Sequence, residues 1–289
     1  MQGVIDEVDE EVRNRAAKLV EEGAIASAHD ELDFEHQLAE ITKESDKLMM
    51  SIGSGQMANE AVFHLIRHPR LLAIAEQFCG SELIASSVWR LRPKVPGHLH
   101  GEVPWHQDAG YTDPYCDRAL MLTVWLPLVD ANEENGCLWV LPKAHKQGVL
   151  RHTTNSQKSY LIIPDDERPA DRKPICAQVK KGGVLLLSNM TPHASFTNKT
   201  DRVRWSMDLR YQNAALPTNA PITRLEGEDS HENDDAVPLA CYPPEADFLV
   251  RSRLRPEQVM TDAKQFVALR EKHRSPGYTN RWRALGDKQ

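Results

Sequence analysis

The feature that most restricts the fold of this chain is a change of pattern near residue 83. Beyond it come short β-prone runs, separated by turn-forming pairs such as Asn135-Gly136 and Gly182-Gly183. Many short strands with frequent turns are typical of a β-sandwich or a barrel. The predicted strands are residues 84–91, 103–109, 120–128, 138–141, 159–163, 177–179, 184–188 and 203–211.

Helical periodicity occupies the two ends of the chain. Apolar residues recur there at helical spacing, and Gly23 and Gly80 follow two of the runs as stop signals. The predicted helices, which we interpret as structural scaffolding, are residues 4–22, 32–50, 56–67, 69–79 and 256–273. The strongly acidic run at residues 226–235 is interpreted as a solvated loop.

Composition narrows the classes of partner and compartment. The chain has 289 residues and a formal net charge of −7, with no long basic run, so we expect no nucleic-acid partner. No apolar run approaches the ~18 residues of a membrane span, and the N-terminus is acidic rather than signal-like. The five cysteines are scattered and odd in number, which favours reduced thiols in a soluble, cytoplasmic protein.

Candidate metal ligands occur at His106-Gln107-Asp108 and at His193. Because residues i and i+2 of a strand point to the same face, His106 and Asp108 would project side by side. His193 follows the apolar run at 182–187 and Pro192, where it could be a fixed ligand or a core histidine. Two histidines and one carboxylate suit non-haem Fe(II) in oxygen-using enzymes, although His-x-Asp alone is a weak signal.

The predicted strand at 203–211 alternates strictly between apolar and polar residues. Its polar face carries Arg204, Ser206, Asp208 and Arg210. One interpretation puts this face in water. In the other, the apolar face packs on the N-terminal helices and the polar face borders a ligand cavity. A guanidinium there would bind a carboxylate through two hydrogen bonds, as a dicarboxylic co-substrate requires.

Four separated motifs together resemble those of the phytanoyl-CoA dioxygenase family. They are His106-Gln107-Asp108, the run NGCLWVLPKAH at residues 135–145, His193 and Arg204, in the family's order and spacing. The resemblance covers roughly residues 83–211. It implies Fe(II), 2-oxoglutarate and O2 as cofactor and co-substrates, with ascorbate as a candidate reductant.

The resemblance also implies a fold. We predict a mostly β protein with flanking α-helices, a double-stranded β-helix (jelly roll, cupin-like) wrapped by N- and C-terminal helices. Residues 1–289 would form a single domain with a helical scaffold at 1–80, a jelly-roll core at 83–211, and a loop with a C-terminal helix at 212–289. Two departures from the family stand out. The family's N-terminal element around a Gly-aromatic pair is not found, and Lys143 and Ala144 replace a glycine and a serine.

Residue roles follow from the same resemblance. His106, Asp108 and His193 would be the iron ligands. Arg204, helped by Ser195, would bind the distal carboxylate of 2-oxoglutarate.

Other residues have weaker assignments. Trp125 would lie beside the co-substrate or serve only in core packing. Gln107 is a lesser candidate for co-substrate binding, since it shares the strand with the ligands but should point away from them. His145 is expected to be structural, and His98 and His100 are expected to lie in a mobile loop.

The expected reaction is hydroxylation of a small molecule, with release of succinate and CO2. Related iron halogenases have a small residue at the carboxylate position, so Asp108 favours oxygenation. Two alternatives stay open: a metal-dependent cupin-like enzyme such as an isomerase that does not use 2-oxoglutarate, and a non-catalytic binding protein on this fold. The loops expected to select the substrate are residues 96–102, 111–118, 152–173 and 213–237.

Overall fold

The computed structural model describes residues 1–54, 57–98, 101–154, 160–216, 237–238, 244–273 and 278–279. Its α-helices are α1 Gln2–Glu21, α2 Gln37–Glu44, α3 Lys47–Ser54, α4 Glu60–Ile66, α5 Pro69–Cys79 and α6 Ala263–Lys272. Its strands are β1 Leu83–Ala85, β2 Arg90–Lys94, β3 Val103–His106, β4 Met121–Pro127, β5 Leu138–Val140, β6 Thr153–Thr154, β7 Leu161–Ile162, β8 Ile175–Ala177, β9 Leu185–Ser188, β10 His193–Ser195, β11 Arg204–Asn213, β12 Val237–Pro238, β13 Phe248–Arg251 and β14 Tyr278–Thr279.

Two antiparallel sheets form the core of the fold. The larger has the strand order β13-β1-β11-β4-β9, with β2 also pairing with β11, and the smaller has the order β3-β10-β5-β8. Strands that are distant in sequence lie side by side in both sheets, as expected when antiparallel strands are wound into a jelly roll. The predicted fold class, a mostly β jelly roll with flanking helices, is confirmed.

Strand β11 shows why the N-terminal helices belong to the fold. Its apolar residues Trp205, Met207, Leu209 and Tyr211 are buried in one cluster with residues of α1, α4 and α5. The ring of Trp205 stacks on Phe34 with centroids 5.0 Å apart, and its Nε1 donates to the Phe34 carbonyl oxygen at 3.0 Å. The polar face of the strand is buried as well, so the interpretation that puts it in water is wrong.

Two predicted elements are divided in the structure. The helix predicted at 32–50 becomes α2 and α3, because Ser45 takes an extended conformation with φ −154° and ψ 130°. The strand predicted at 84–91 becomes β1 and β2. Between them the Ser86 amide donates to the Arg210 carbonyl oxygen at 2.9 Å and the Ser87 amide donates to Oδ1 of Asp247 at 2.8 Å. Tertiary hydrogen bonds therefore interrupt the local pattern.

Other boundaries also differ from the prediction. The strand predicted at 103–109 ends at His106, and the one predicted at 177–179 is observed at Ile175–Ala177. The helix predicted at 256–273 begins at Ala263, where Asp262 caps it by accepting from the Lys264 amide at 2.8 Å. The acidic run at 226–235 lies outside the described residues.

The structure also bears on the predictions of reduced cysteines and of a chain without a membrane span. Cys79, Cys116, Cys137 and Cys176 are free thiols, as predicted, while Cys241 lies outside the described residues. Among the helices that the structure describes, none is both long and apolar enough to cross a membrane.

The packing of α-helices on β11 generates a stability prediction. Replacing the fully buried Trp205 with alanine should lower the free energy of unfolding by about 3–5 kcal/mol, because it leaves a cavity between the sheet and the helical layer. Urea denaturation measures the change. The matched control is Val20→Ala on α1, where the side chain is partly exposed and the loss should stay within about 0.5 kcal/mol. Equal losses in the two variants would contradict this packing.

Candidate metal centre

The three predicted metal ligands meet where two paired strands adjoin a turn. His106 ends β3, His193 begins β10, and the two residues are cross-strand partners. The prediction that Asp108 shares a strand face with His106 is wrong, because Asp108 begins a 3-10 helix, Asp108–Tyr111. The turn nevertheless brings the carboxylate to the histidines, and one candidate ligand atom from each residue lies within 4.8 Å of the other two.

Both histidines present the same ring nitrogen to Asp108. Nδ1 of His106 lies 2.8 Å from the Pro104 carbonyl oxygen, and Nδ1 of His193 lies 2.9 Å from that of Thr191. A carbonyl oxygen only accepts hydrogen bonds, so each Nδ1 donates and Nε2 is the nitrogen left to bind a metal. Each Nε2 lies 3.9 Å from Oδ1 of Asp108.

The carboxylate of Asp108 has one oxygen held and one directed at the histidines. Oδ2 accepts from Thr123 Oγ1 at 2.7 Å and from Arg210 Nε and Nη2 at 3.2 and 3.1 Å. Burial alone would raise the pKa of Asp108, but the charge of Arg210 outweighs it and holds this pKa well below its usual range. Asp108 is therefore ionised, with Oδ1 turned to the imidazole nitrogens.

The donor set fits a divalent metal ion. Burial, followed by the neighbouring His193, lowers the pKa of His106 to about 3, so its imidazole is neutral at physiological pH. Two imidazole Nε2 nitrogens and a carboxylate oxygen face one another. This is the ligand type and number expected of a non-haem Fe(II) site with open positions.

A cavity of about 390 Å³ lies against these three residues. This volume falls within the roughly 300–1,000 Å³ typical of small-molecule sites. Both sheets contribute to its walls, together with Met49 and Met50 of α3. The charged residues that line it are Arg92, Lys94, Asp108, Arg204, Asp208 and Arg210.

Arg204 is a buried cation inside this cavity and is only 2% exposed. Its Nη2 donates to the Gly136 carbonyl oxygen at 3.1 Å and to Ser195 Oγ at 3.3 Å, while Nη1 donates to Ser206 Oγ. Its guanidinium carbon lies 5.4 Å from the centre of the Trp125 ring. Among the described residues, no group accepts a hydrogen bond from Nε and no carboxylate forms an ion pair with this guanidinium.

A guanidinium that is buried without a carboxylate is costly, so the surroundings of Arg204 suit an anionic ligand. Burial, followed by Arg92, lowers the pKa of Arg204 to about 10, which leaves it charged at neutral pH. Ser195 and Trp125 lie beside it, as the sequence predicts. Trp125 also packs in a cluster with Leu187 and Leu138, as the core-packing interpretation predicts. Its position beside the co-substrate stays a prediction.

Lys94 is a second buried basic residue, and sequence analysis did not single it out. Its Nζ donates to the carbonyl oxygens of Gly101, of Ser195 at 3.1 Å and of Phe196 at 2.7 Å. Burial, followed by Arg204, lowers the pKa of Lys94 to about 6. The signal that could have found it is the basic residue at every second position of β2, which places these side chains on one face of the strand.

A chain of ion pairs connects the metal centre to the cavity wall. Arg210, already bound to Asp108, donates through Nη1 to Oδ2 of Asp208 at 2.8 Å. Oδ1 of Asp208 accepts from Arg92 Nε at 3.0 Å. Asp208 and Arg210 belong to the alternating polar face of β11, so their location was predictable from sequence, whereas their pairing was not.

The side chain of Gln107 is bound by the backbone rather than directed into the cavity. Its amide nitrogen donates to the carbonyl oxygens of Gly148 at 2.8 Å and Met190 at 2.7 Å, and its Oε1 accepts from the Leu150 amide at 2.8 Å. Neighbouring backbone thus takes both ends of the amide, and Gln107 does not line the cavity. The co-substrate contact predicted for it does not fit this geometry.

Among the described residues, the cluster of candidate metal ligands contains no histidine other than His106 and His193. His145 is exposed, on the 3-10 helix Ala144–Gln147. His98 ends the described segment that includes β2, and His100 lies outside the described residues.

The chain is similar in sequence to proteins of one known family. The sequence profile of the phytanoyl-CoA dioxygenase (PhyH) family matches residues 6–206. Phytanoyl-CoA dioxygenase domain-containing protein 1 of Danio rerio is 31% identical over 173 residues, which are 57% of each chain. The 1-deoxypentalenic acid 11-beta-hydroxylase of Streptomyces exfoliatus is 27% identical over 227 residues, which are 72% of this chain and 75% of that protein.

The chain also resembles a solved structure, and it covers only part of the length of its relatives. EvdO2 from Micromonospora carbonacea var. aurantiaca, complexed with 2-oxoglutarate, has a TM-score of 0.44 and 29% identity, covering 55% of this chain and 66% of that one. The chain spans 57% of the Danio rerio relative and 63% of the corresponding protein of Mus musculus.

The donor geometry predicts the effect of removing one ligand. His106→Ala or His193→Ala should weaken Fe(II) binding by more than about a hundredfold, since even groups that only support metal ligands are worth about 10- to 100-fold. Iron retained after anaerobic reconstitution and gel filtration, quantified by mass spectrometry, measures this. His145→Ala, which removes an exposed histidine, is the matched control and should keep full occupancy. Full occupancy in either ligand variant would overturn the assignment.

Proposed function

This chain belongs to the phytanoyl-CoA dioxygenase (PhyH) family, and on that premise we propose that it is an Fe(II)- and 2-oxoglutarate-dependent dioxygenase that hydroxylates a small molecule. The proposal includes release of succinate and CO2 and a single catalytic domain over residues 1–289. One observation carries it. Three metal-ligand atoms face one another in a cavity that also holds a buried guanidinium without a carboxylate partner among the described residues.

His106, Asp108 and His193 would hold the ferrous ion. A bound ferrous ion with 2-oxoglutarate and O2 would supply the oxidising chemistry, and the protein supplies geometry and surroundings. The hydrogen bonds from both Nδ1 atoms fix the rings, so each Nε2 is directed before any ligand binds. Arg210 and Thr123 restrict the carboxylate to one free oxygen.

Arg204 would bind the distal carboxylate of 2-oxoglutarate. Its Nε is buried without an acceptor among the described residues, and a carboxylate there would supply one. Ser195 helps to hold the guanidinium in place, since its Oγ accepts from Nη2 and donates to the Gly136 carbonyl oxygen at 2.9 Å. Lys94 adds positive potential beside Arg204 whenever it is protonated.

Burial of these groups would also exclude water from the reaction. Asp108 and His193 are each 7% exposed and Arg204 is 2% exposed, and Trp125 and Leu187 add apolar surface to the walls of the same cavity. Low polarity strengthens the charge interactions that orient the co-substrate. The site therefore suits oxidation of a substrate C–H group next to the metal.

The first prediction of this proposal concerns the co-substrate. Arg204→Ala should weaken 2-oxoglutarate binding by roughly 2–5 kcal/mol while iron still binds, because a desolvated charge-assisted contact is lost. Arg204→Lys should recover only part of the affinity, since an ammonium cannot form the two-pronged contact. Anaerobic titration of the iron-loaded protein, followed by its visible absorbance, gives the affinity.

Arg202→Ala is the matched control for this experiment. Arg202 lies two residues away, its side chain is 53% exposed, and it pairs with Glu35 rather than with the cavity. Its substitution should leave 2-oxoglutarate affinity unchanged. An unchanged affinity in Arg204→Ala would remove Arg204 from the binding site.

The second prediction concerns the product. Asp108 contributes a carboxylate where a halogenase would need an open position, so oxygen rather than halide should be transferred. Product made under 18O2 with excess chloride should contain one 18O atom and no chlorine by mass spectrometry. A chlorinated product would contradict the oxygenase assignment. A desaturated product without added oxygen would retain the iron site but overturn hydroxylation.

A further inference from the structure

We propose that Arg92 binds a carboxylate group of the substrate, so that the substrate class is a monocarboxylic acid with an apolar body. The inference rests on the proposed function, because it places the substrate in the cavity next to the metal and the co-substrate. It adds a chemical class of substrate and a residue that selects it.

The guanidinium of Arg92 is bound to Asp208 through Nε, and its two terminal nitrogens are available to a ligand. It lies on β2 opposite Ser206 of β11 and lines the cavity. Its Nε donates to Oδ1 of Asp208 at 3.0 Å, and among the described residues this is the one hydrogen bond that its side chain makes. The side chain is 42% exposed, against 6% for Asp208. The terminal nitrogens Nη1 and Nη2 thus remain as a planar fork of the kind that matches a carboxylate.

The charges around the cavity leave one positive charge for the substrate. A ferrous ion would be balanced by Asp108 and by the proximal carboxylate of 2-oxoglutarate, and Arg204 by the distal carboxylate. Lys94 is left out of this count because burial lowers its pKa to about 6, so it is mostly neutral at pH 7. What remains is Asp208, which pairs with both Arg92 and Arg210. Two guanidinium groups share this carboxylate, so the group as a whole carries one surplus positive charge. A substrate with one negative charge would neutralise it.

Burial assigns the two arginines to different anions. Arg204 is 2% exposed and lies between Ser195 and Trp125, which suits a co-substrate bound in every catalytic cycle whatever the substrate. Arg92 is the more exposed member of the pair. Its position suits the molecule that enters later and leaves as product.

The apolar residues that line the cavity indicate the kind of substrate body that it would bind. Met49 and Met50 of α3 line the cavity, together with Leu187 of the larger sheet and Leu138 and Ala194 of the smaller one. Methionine side chains adapt to irregular apolar shapes. An acid whose carboxylate lies on Arg92 would therefore place a hydrocarbon body along apolar surface that extends to the metal ligands.

The experiment uses a panel of monocarboxylic acids, each beside the primary amide of the same skeleton. Succinate release from 2-oxoglutarate measures turnover, and anaerobic calorimetry on the Fe(II)- and 2-oxoglutarate-loaded protein measures binding. Acids should stimulate succinate release with a kcat/KM at least about tenfold above that of their amides, since a charged hydrogen-bonding partner is lost in the amide. Arg92→Gln should raise the KM and Kd of the acid by about tenfold and bring the acid-to-amide ratio close to one.

Controls separate this inference from folding and from the proposed function. Arg92→Lys keeps the charge without the fork and should give an intermediate preference. Arg92→Gln leaves Asp208 paired with Arg210, so its melting temperature should stay close to that of the unmodified protein. Arg202→Gln, at an exposed position, should keep the full preference for acids.

Several outcomes would overturn the inference alone. They are amides used as well as acids, a panel in which no acid binds or stimulates turnover, an acid preference that survives Arg92→Gln, or a loss of 2-oxoglutarate affinity in Arg92→Gln in place of acid affinity. Failure of the unmodified protein to bind iron or 2-oxoglutarate would instead overturn the proposed function. The two failures are therefore distinguishable.

Discussion

The candidate metal centre depends on the buried ion pair between Arg210 and Asp108. Arg210 belongs to β11 of the larger sheet and Asp108 follows β3 of the smaller one, so the pair joins the two sheets. Burying these charges is expensive, and the cost is offset here by two hydrogen bonds between them and by the further partners Asp208 and Thr123. Losing one partner of such a pair costs about 3–5 kcal/mol, because the other charge stays buried. The interaction that aligns the carboxylate also holds the fold together.

Strand β11 connects stability to function through its two faces. The apolar face, with Trp205 and Tyr211, packs against the N-terminal helices, and the opposite face presents Arg204, Asp208 and Arg210 to the cavity. Because side chains alternate along a strand, a shift of one residue in register would exchange these faces completely. Pairing with β4 over seven residue pairs, from Ser206↔Pro127 to Gln212↔Met121, prevents that shift. The rigidity that orients the site is thus the same rigidity that anchors the helical layer.

Under the proposed function, the cavity separates its ligands by charge and depth. The metal would lie with the histidines and Asp108, and the co-substrate would bind Arg204, the most buried guanidinium. The inferred substrate acid would bind Arg92, the outermost one. Asp208 links Arg92 and Arg210 without neutralising both, which keeps the cavity positive before anions bind. Groups fixed in this way need little rearrangement during the reaction, which is the main contribution a protein makes to metal-based oxidation.

The sequence by itself determined the classes of element and most of the chemical groups of the site. Period-two alternation in β11, helical spacing before residue 80, and the types and order of His106, Asp108, His193 and Arg204 are local properties, so they can be read directly. Only the tertiary structure decided how these groups meet. In the structure β3 ends at His106, and a 3-10 turn places Asp108 against Arg210. The side chain of Gln107 binds backbone groups, and Lys94 and Arg92 line the same cavity. The physical reason is that these contacts join residues that are distant in sequence. A buried charge must find a partner of opposite charge or a hydrogen-bonding group, and local periodicity contains no information about which residue that will be.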